Sequence, residues 1–133
     1  MRNRFIPSMC FAFLLIFLAL IGCSSTENRT EERAKERVTQ FIRLMSEDRI
    51  EEAEKFLSRY LAESETKELF LDSYDLWQFK DTSLVISVYD VIFHVKDKNI
   101  ATVSFTIHNE KLGFRRQGNL PVKFERGDWY IGG

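Results

Sequence analysis

The apolar residues of this chain change their period once, near residue 83, and no other feature restricts the fold as strongly. Before that point they recur every three to four residues; after it they alternate. The first spacing gathers apolar groups on one helix face, and the second on one face of a strand. Helices in the first half and strands in the second imply an α+β domain, with helices covering one side of an antiparallel sheet.

The helical part opens at Thr30, a capping residue followed by Glu31 and Glu32, whose charges suit a first turn. Ala34, Val38, Phe41, Ile42 and Met45 then form one stripe. After a break at residues 46–49, Asp48 and Glu51 have capping-box spacing. The apolar face of a second helix would be Ile50, Ala53, Phe56, Leu57, Tyr60 and Leu61. Ser64 or Thr66 could cap a third helix carrying Leu69, Phe70, Tyr74 and Trp77.

In the second half, Tyr89, Val91, Phe93 and Val95 alternate on one strand, and Ala101, Val103, Phe105 and Ile107 on the next. A three-residue loop, Asp97-Lys98-Asn99, would pair Val95 with Ala101, Phe93 with Val103, Val91 with Phe105 and Tyr89 with Ile107. All eight then share the buried face, which is the condition that sets register. A third strand is expected over residues 114–125, with Leu120, Val122 and Phe124 inward and Pro121 where no ladder donor is needed. A turn at Glu125-Arg126-Gly127-Asp128 leads to a last strand, 129–131, in which Trp129 is expected to be buried.

The N-terminus is of another kind. Arg2 and Arg4 precede an apolar run from Met9 to Ile21 that contains no charge. Pro7 and Ser8 limit its helical part to roughly 13 residues, below the ~18 to 20 needed to span a bilayer. Such a segment has the form of a signal peptide. It ends in Leu20-Ile21-Gly22-Cys23, followed by Ser24, Ser25 and Thr26. These four residues resemble a lipobox. The resemblance implies cleavage between Gly22 and Cys23 and a diacylglycerol thioether on the Cys23 sulfur, with further N-acylation (palmitate-type chains) in many Gram-negative bacteria. Ser24, rather than Asp, resembles the pattern for outer-membrane sorting in such hosts.

Three segments follow: a signal peptide at 1–22, a lipidated tether at 23–29 and a domain at 30–133. Removing the leader takes two of the 19 basic residues and none of the 20 acidic ones, leaving 17 against 20, or −3. That balance, of mixed sign and without a basic block, argues against nucleic-acid binding. Cys10 leaves with the leader, so Cys23 alone remains and the domain must stand on core packing without a disulfide.

Helices at 30–61 and the ending Leu-Pro-Val-Lys-Phe-Glu-Arg-Gly-Asp-Trp-Tyr-Ile (120–131) resemble the nuclear transport factor 2-like, or cystatin-like, superfamily, especially its small lipoproteins. The resemblance implies two or three N-terminal helices packed on a curved four-stranded antiparallel sheet, forming a cone. A fold of this kind does not assign an activity. Enzymes of the superfamily carry Asp or His inside the cone. In the register above, Asp90, His94 and His108 fall on the other face with Thr102, Ser104 and Thr106. His94 and His108 are then roughly 20 Å apart at ~3.3 Å per residue, too far to share a metal.

The inward face would offer the Tyr89 hydroxyl, with Tyr60, Tyr74, Trp77, Phe93 and Phe105 as candidates for lining an aromatic pocket, or else for simple core packing. Phosphate-loop, dinucleotide and HExxH motifs are missing from the sequence, and no catalytic residue, metal or cofactor is expected. Lys111 with Arg115 and Arg116 reads as a small solvated basic spot. The expectation is a membrane-anchored envelope lipoprotein acting as a binding or accessory module for a small apolar ligand or an envelope protein. A pocket enzyme of isomerase or dehydratase type is the alternative, as is a homodimer formed through an outer sheet face with Val88 and Ile92.

Overall fold

The computed structural model describes residues 28–74 and 84–133; the leader, Gly22, Cys23 and Trp77 lie outside these residues. The architecture is α+β, as the change of period implies. Helix α1 spans Glu31–Ser46, α2 Ile50–Glu54, α3 Arg59–Ala62 and α4 Lys67–Ser73. Strands β1 (Val85–Phe93), β2 (Ile100–Asn109), β3 (Phe114–Glu125) and β4 (Asp128–Ile131) form an open antiparallel sheet in that order.

Helix α1 starts where Thr30, in extended conformation, accepts the Arg33 N–H on Oγ1 at 3.1 Å. Its stripe of Ala34, Val38, Phe41, Ile42 and Met45 is wholly buried. Asp48 does not cap the next helix. It adopts a left-handed φ of 59° and turns the chain out of α1, while Arg49 occupies the cap position without a side-chain bond. Arg49 instead pairs with Glu47 and Glu52.

The single second helix expected over residues 50–61 is split. Between α2 and α3 the chain runs beside β4: Ile131 N–H donates to Phe56 O and Ser58 N–H to Ile131 O, both at 2.7 Å. Leu57 forms a parallel bridge with Ile131, and the free edge of β4 is thereby covered. Ser58 then restarts the helix by accepting the Leu61 N–H at 3.3 Å. The restart changes the helix phase, so Leu57 and Leu61 are buried but Tyr60 is 70 % exposed. In α4, Leu71 takes the inward position and Leu69 faces water.

Strands β2 and β3 bury the expected residues, Ala101, Val103, Phe105, Ile107, Leu120 and Val122. The β1–β2 register departs from expectation twice. First, the loop is longer. Phe93 pairs with Ala101 and Val91 with Val103, and His94 N–H donates to Ile100 O at 2.8 Å. Asp97 organises this loop: its Oδ1 accepts the Asn99 N–H (2.9 Å) and its carbonyl the Ile100 N–H (3.1 Å). Asn99 O in turn accepts the Phe124 N–H at 2.7 Å. This side-chain-nucleated turn leaves Val95 95 % exposed rather than paired with Ala101.

Second, a β-bulge leaves Tyr89 unpaired between Val88↔Phe105 and Asp90↔Ser104. One extra residue reverses the in–out alternation beyond it. Val88 and Ile86 therefore pack against the core, which corrects the assignment of Val88 to the outer face, and Tyr89 is 57 % exposed. Pro121 pairs with Thr102, and its carbonyl accepts the Gly132 N–H (2.8 Å) just past β4.

Candidate functional site

The five aromatic candidates among the described residues do not line one space, and the sixth, Trp77, lies outside them. Tyr74 and Phe105 meet with ring centroids 6.2 Å apart, but Phe41 and Phe70 fill the room beside them, at 5.9 and 5.3 Å from Tyr74. Phe93 belongs to a separate group, 5.9 Å from Trp129, which also meets Phe124 edge-on at 5.3 Å. Tyr60 and Tyr89 lie at the surface. Burial pushes the Tyr74 phenol up, and the Arg116 guanidinium, 4.9 Å above the ring, opposes this.

Asp90 and His94 are exposed and His108 is half-buried. Asp90 stands opposite Ser104 and not Thr106; His108 stands opposite Val85 and Arg115. Among the described residues no group of three or more His, Cys, Asp or Glu could share a metal ion.

The most developed polar constellation lies elsewhere, where α1 crosses the β3–β4 hairpin. The hairpin turns on Arg126 and Gly127, with φ of 50° and 78°. Two consecutive left-handed residues make the tight connection that suits the strand twist, and glycine is the natural second member. The turn presents Asp128 to α1. Arg33 and Arg37 are four residues apart and so share a helix face. Arg33 donates to Asp128 twice, Nε to Oδ1 at 2.9 Å and Nη2 to Oδ2 at 2.7 Å. Asp128 Oδ1 also accepts the Trp129 N–H at 2.9 Å.

These contacts set the electrostatics. Burial pushes the Asp128 carboxyl up, but hydrogen bonds from Arg33 and the Trp129 N–H, with the Arg37 and Arg33 charges, outweigh it and hold it below its ordinary 3.8. The bonds that Arg33 donates to Asp128 and then to Glu36 raise it above its ordinary value. Arg37 is lowered chiefly by burial, against the pull of Asp128. Its Nε donates to Trp129 O at 2.8 Å, and its guanidinium lies 4.0 Å from the Phe56 ring centroid and 5.0 Å from that of Tyr130. Arg126 covers Tyr130 at 4.0 Å, and Arg29 covers Phe124 at 4.6 Å.

A planar guanidinium on an aromatic face keeps its charge while shedding water. The result is four arginines held by three rings and by the carboxylates of Asp128, Glu36 and Glu125. Such a cluster orders the hairpin and offers cationic surface to an anion. It was missed in sequence because its partners are 92 and 95 residues apart; the one available signal was the Arg33–Arg37 spacing beside the buried stripe. No protein-family model matches the chain, and no curated protein matches it.

Proposed function

We propose that the chain is a cell-envelope lipoprotein, held on a membrane by lipid on Cys23 and facing the periplasm or exterior. In this reading residues 1–22 are a cleaved signal peptide and 30–133 a non-catalytic binding or accessory module of the nuclear transport factor 2-like kind, its sheet curved into a cone. In a Gram-negative host the membrane is the outer one. The observation that carries the reading is Leu20-Ile21-Gly22-Cys23 at the end of a short, uncharged apolar run with a basic start.

Other features suit it. Helices followed by an antiparallel meander have the layer order of that superfamily. The rings of Phe41, Phe70, Tyr74 and Phe105 pack together between helices and sheet, which favours recognition of an envelope partner at the surface over a deep pocket. Detergent phase partitioning tests the anchor. The wild-type chain should enter the detergent phase at its processed size, and Cys23→Ser should remain at precursor size. Equal processing of both would refute the reading.

A further inference from the structure

The sheet gathers three separate segments at one end, and their chemistry is alike. In an antiparallel meander the β1–β2 loop and the β3–β4 turn lie at the same end, and the Phe124 N–H bond to Asn99 O ties them together. The start of the described chain is there too, since Asn28 Nδ2 donates to Gly127 O at 3.1 Å. This end displays Arg29, Lys96, Lys98 and Arg126, all exposed, together with Val95, which is 95 % exposed. Most acids at this end are engaged: Asp97 Oδ1 accepts the Asn99 N–H, Glu125 Oε1 accepts the Arg59 N–H at 2.7 Å and approaches Arg126 at 3.4 Å, Asp128 is bonded to Arg33, and Glu32 lies 3.9 Å from Lys35, while Glu31 is exposed.

We infer that this end docks on the anionic phospholipid headgroups of the membrane that holds Cys23, an inference that rests on the lipid anchor proposed above. Asn28 is five chain steps from Cys23, and at about 3.6 Å per step these reach at most ~18 Å. The β3–β4 turn therefore cannot leave the neighbourhood of the bilayer. Lysine and arginine side chains within a Debye length, about 8 Å at physiological salt, are drawn to an anionic surface. Arg29 is held over Phe124 and Arg126 over Tyr130, so these two exposed cations are already partly ordered and meet a partner at less further cost in order. Val95 supplies an aliphatic group for the boundary between headgroups and acyl chains. The domain would stand with its strands running away from the membrane and the β2–β3 turn, with Leu112, farthest from it.

The test uses the mature lipidated chain. With Cys10 removed and the Cys23 sulfur acylated, Val95→Cys and, separately, Leu112→Cys each carry one free thiol for an environment-sensitive fluorophore. The labelled proteins are reconstituted in vesicles of equal parts phosphatidylglycerol and phosphatidylcholine that contain a lipid-borne quencher. Quenching should be several-fold stronger at 95 than at 112. It should fall in phosphatidylcholine alone and in a Lys96→Glu/Lys98→Glu/Arg126→Glu chain. Co-flotation with vesicles while position 95 stays aqueous, or with 112 the quenched site, would overturn the docking face and leave the anchor standing. Equal quenching at 95 in phosphatidylcholine alone would overturn its electrostatic basis. Failure to co-float, with a titratable Cys23 thiol, would remove anchor and docking together.

Discussion

Arg33 and Asp128, 95 residues apart, are joined by two hydrogen bonds of 2.9 and 2.7 Å that lock the first turns of α1 to the last hairpin. The pair is partly buried, with side chains 29 % and 17 % exposed. Asp128→Asn should therefore cost more than a surface ion pair and less than a fully buried one, about 1 to 2 kcal/mol. The acid limb gives a second signature. A carboxyl held below its ordinary 3.8 stabilises the folded chain fully above that value, and the contribution disappears as pH falls through the lower folded value. Chemical denaturation should show the gap between wild type and Asp128→Asn narrowing at acid pH; a gap that widens would contradict the assignment.

Gly118 lies against the ring of Phe105. A β-carbon there would stand 2.5 Å from Phe105 Cζ, inside contact distance of a fully buried side chain. Gly118→Ala should destabilise by about 1 to 3 kcal/mol through overpacking. Phe105→Leu in the same chain should recover part of that loss, because the shorter side chain vacates the position. Purely additive losses in the double variant would place the strain elsewhere.

Trp129 is fully buried against Phe93 and Phe124, and its Nε1–H has no acceptor among the described residues. Trp129→Ala should cost about 3 to 5 kcal/mol. Trp129→Phe should cost much less than that, since it keeps most of the ring and removes an unpaired donor. A Phe variant as unstable as the Ala variant would mean that the indole nitrogen is satisfied after all.

Tyr89 and Tyr74 separate the surface from the interior. Tyr89→Ala, at the exposed bulge, should change stability by no more than about 0.5 kcal/mol. Tyr74→Ala removes a buried ring in contact with Phe41, Phe70 and Phe105 and should cost about 3 kcal/mol or more. Thermal or denaturant unfolding decides, and equal effects would deny the bulge its role in turning Tyr89 outward.

How far such features can be read ahead depends on their range. Helix α1 was legible because Thr30 and the five-residue stripe are local signals that agree. Strand β2 was legible because it lies between two partners and keeps strict alternation. In β1 the alternation itself changes parity: Ile86 and Val88 are inward on even numbers, Val91 and Phe93 on odd. Reading one uninterrupted period from Tyr89 to Val95 hid the bulge, although the adjacent pair Val88-Tyr89 marks where it falls. The split after α2 depends on bonds from Phe56 and Ser58 to Ile131, which no spacing within the helices reveals. Arg37 sits between Phe56 and Tyr130 for the same reason: its surroundings come from distant parts of the chain.

The membrane anchor is the central claim, and the mass of the N-terminal peptide of the mature protein tests it most directly. Protein extracted from membranes and cleaved with trypsin should yield a first peptide that begins at Cys23 and ends at Arg29, carrying a diacylglycerol thioether on the sulfur. A peptide beginning elsewhere, or one starting at Cys23 with an unmodified thiol, would contradict the account.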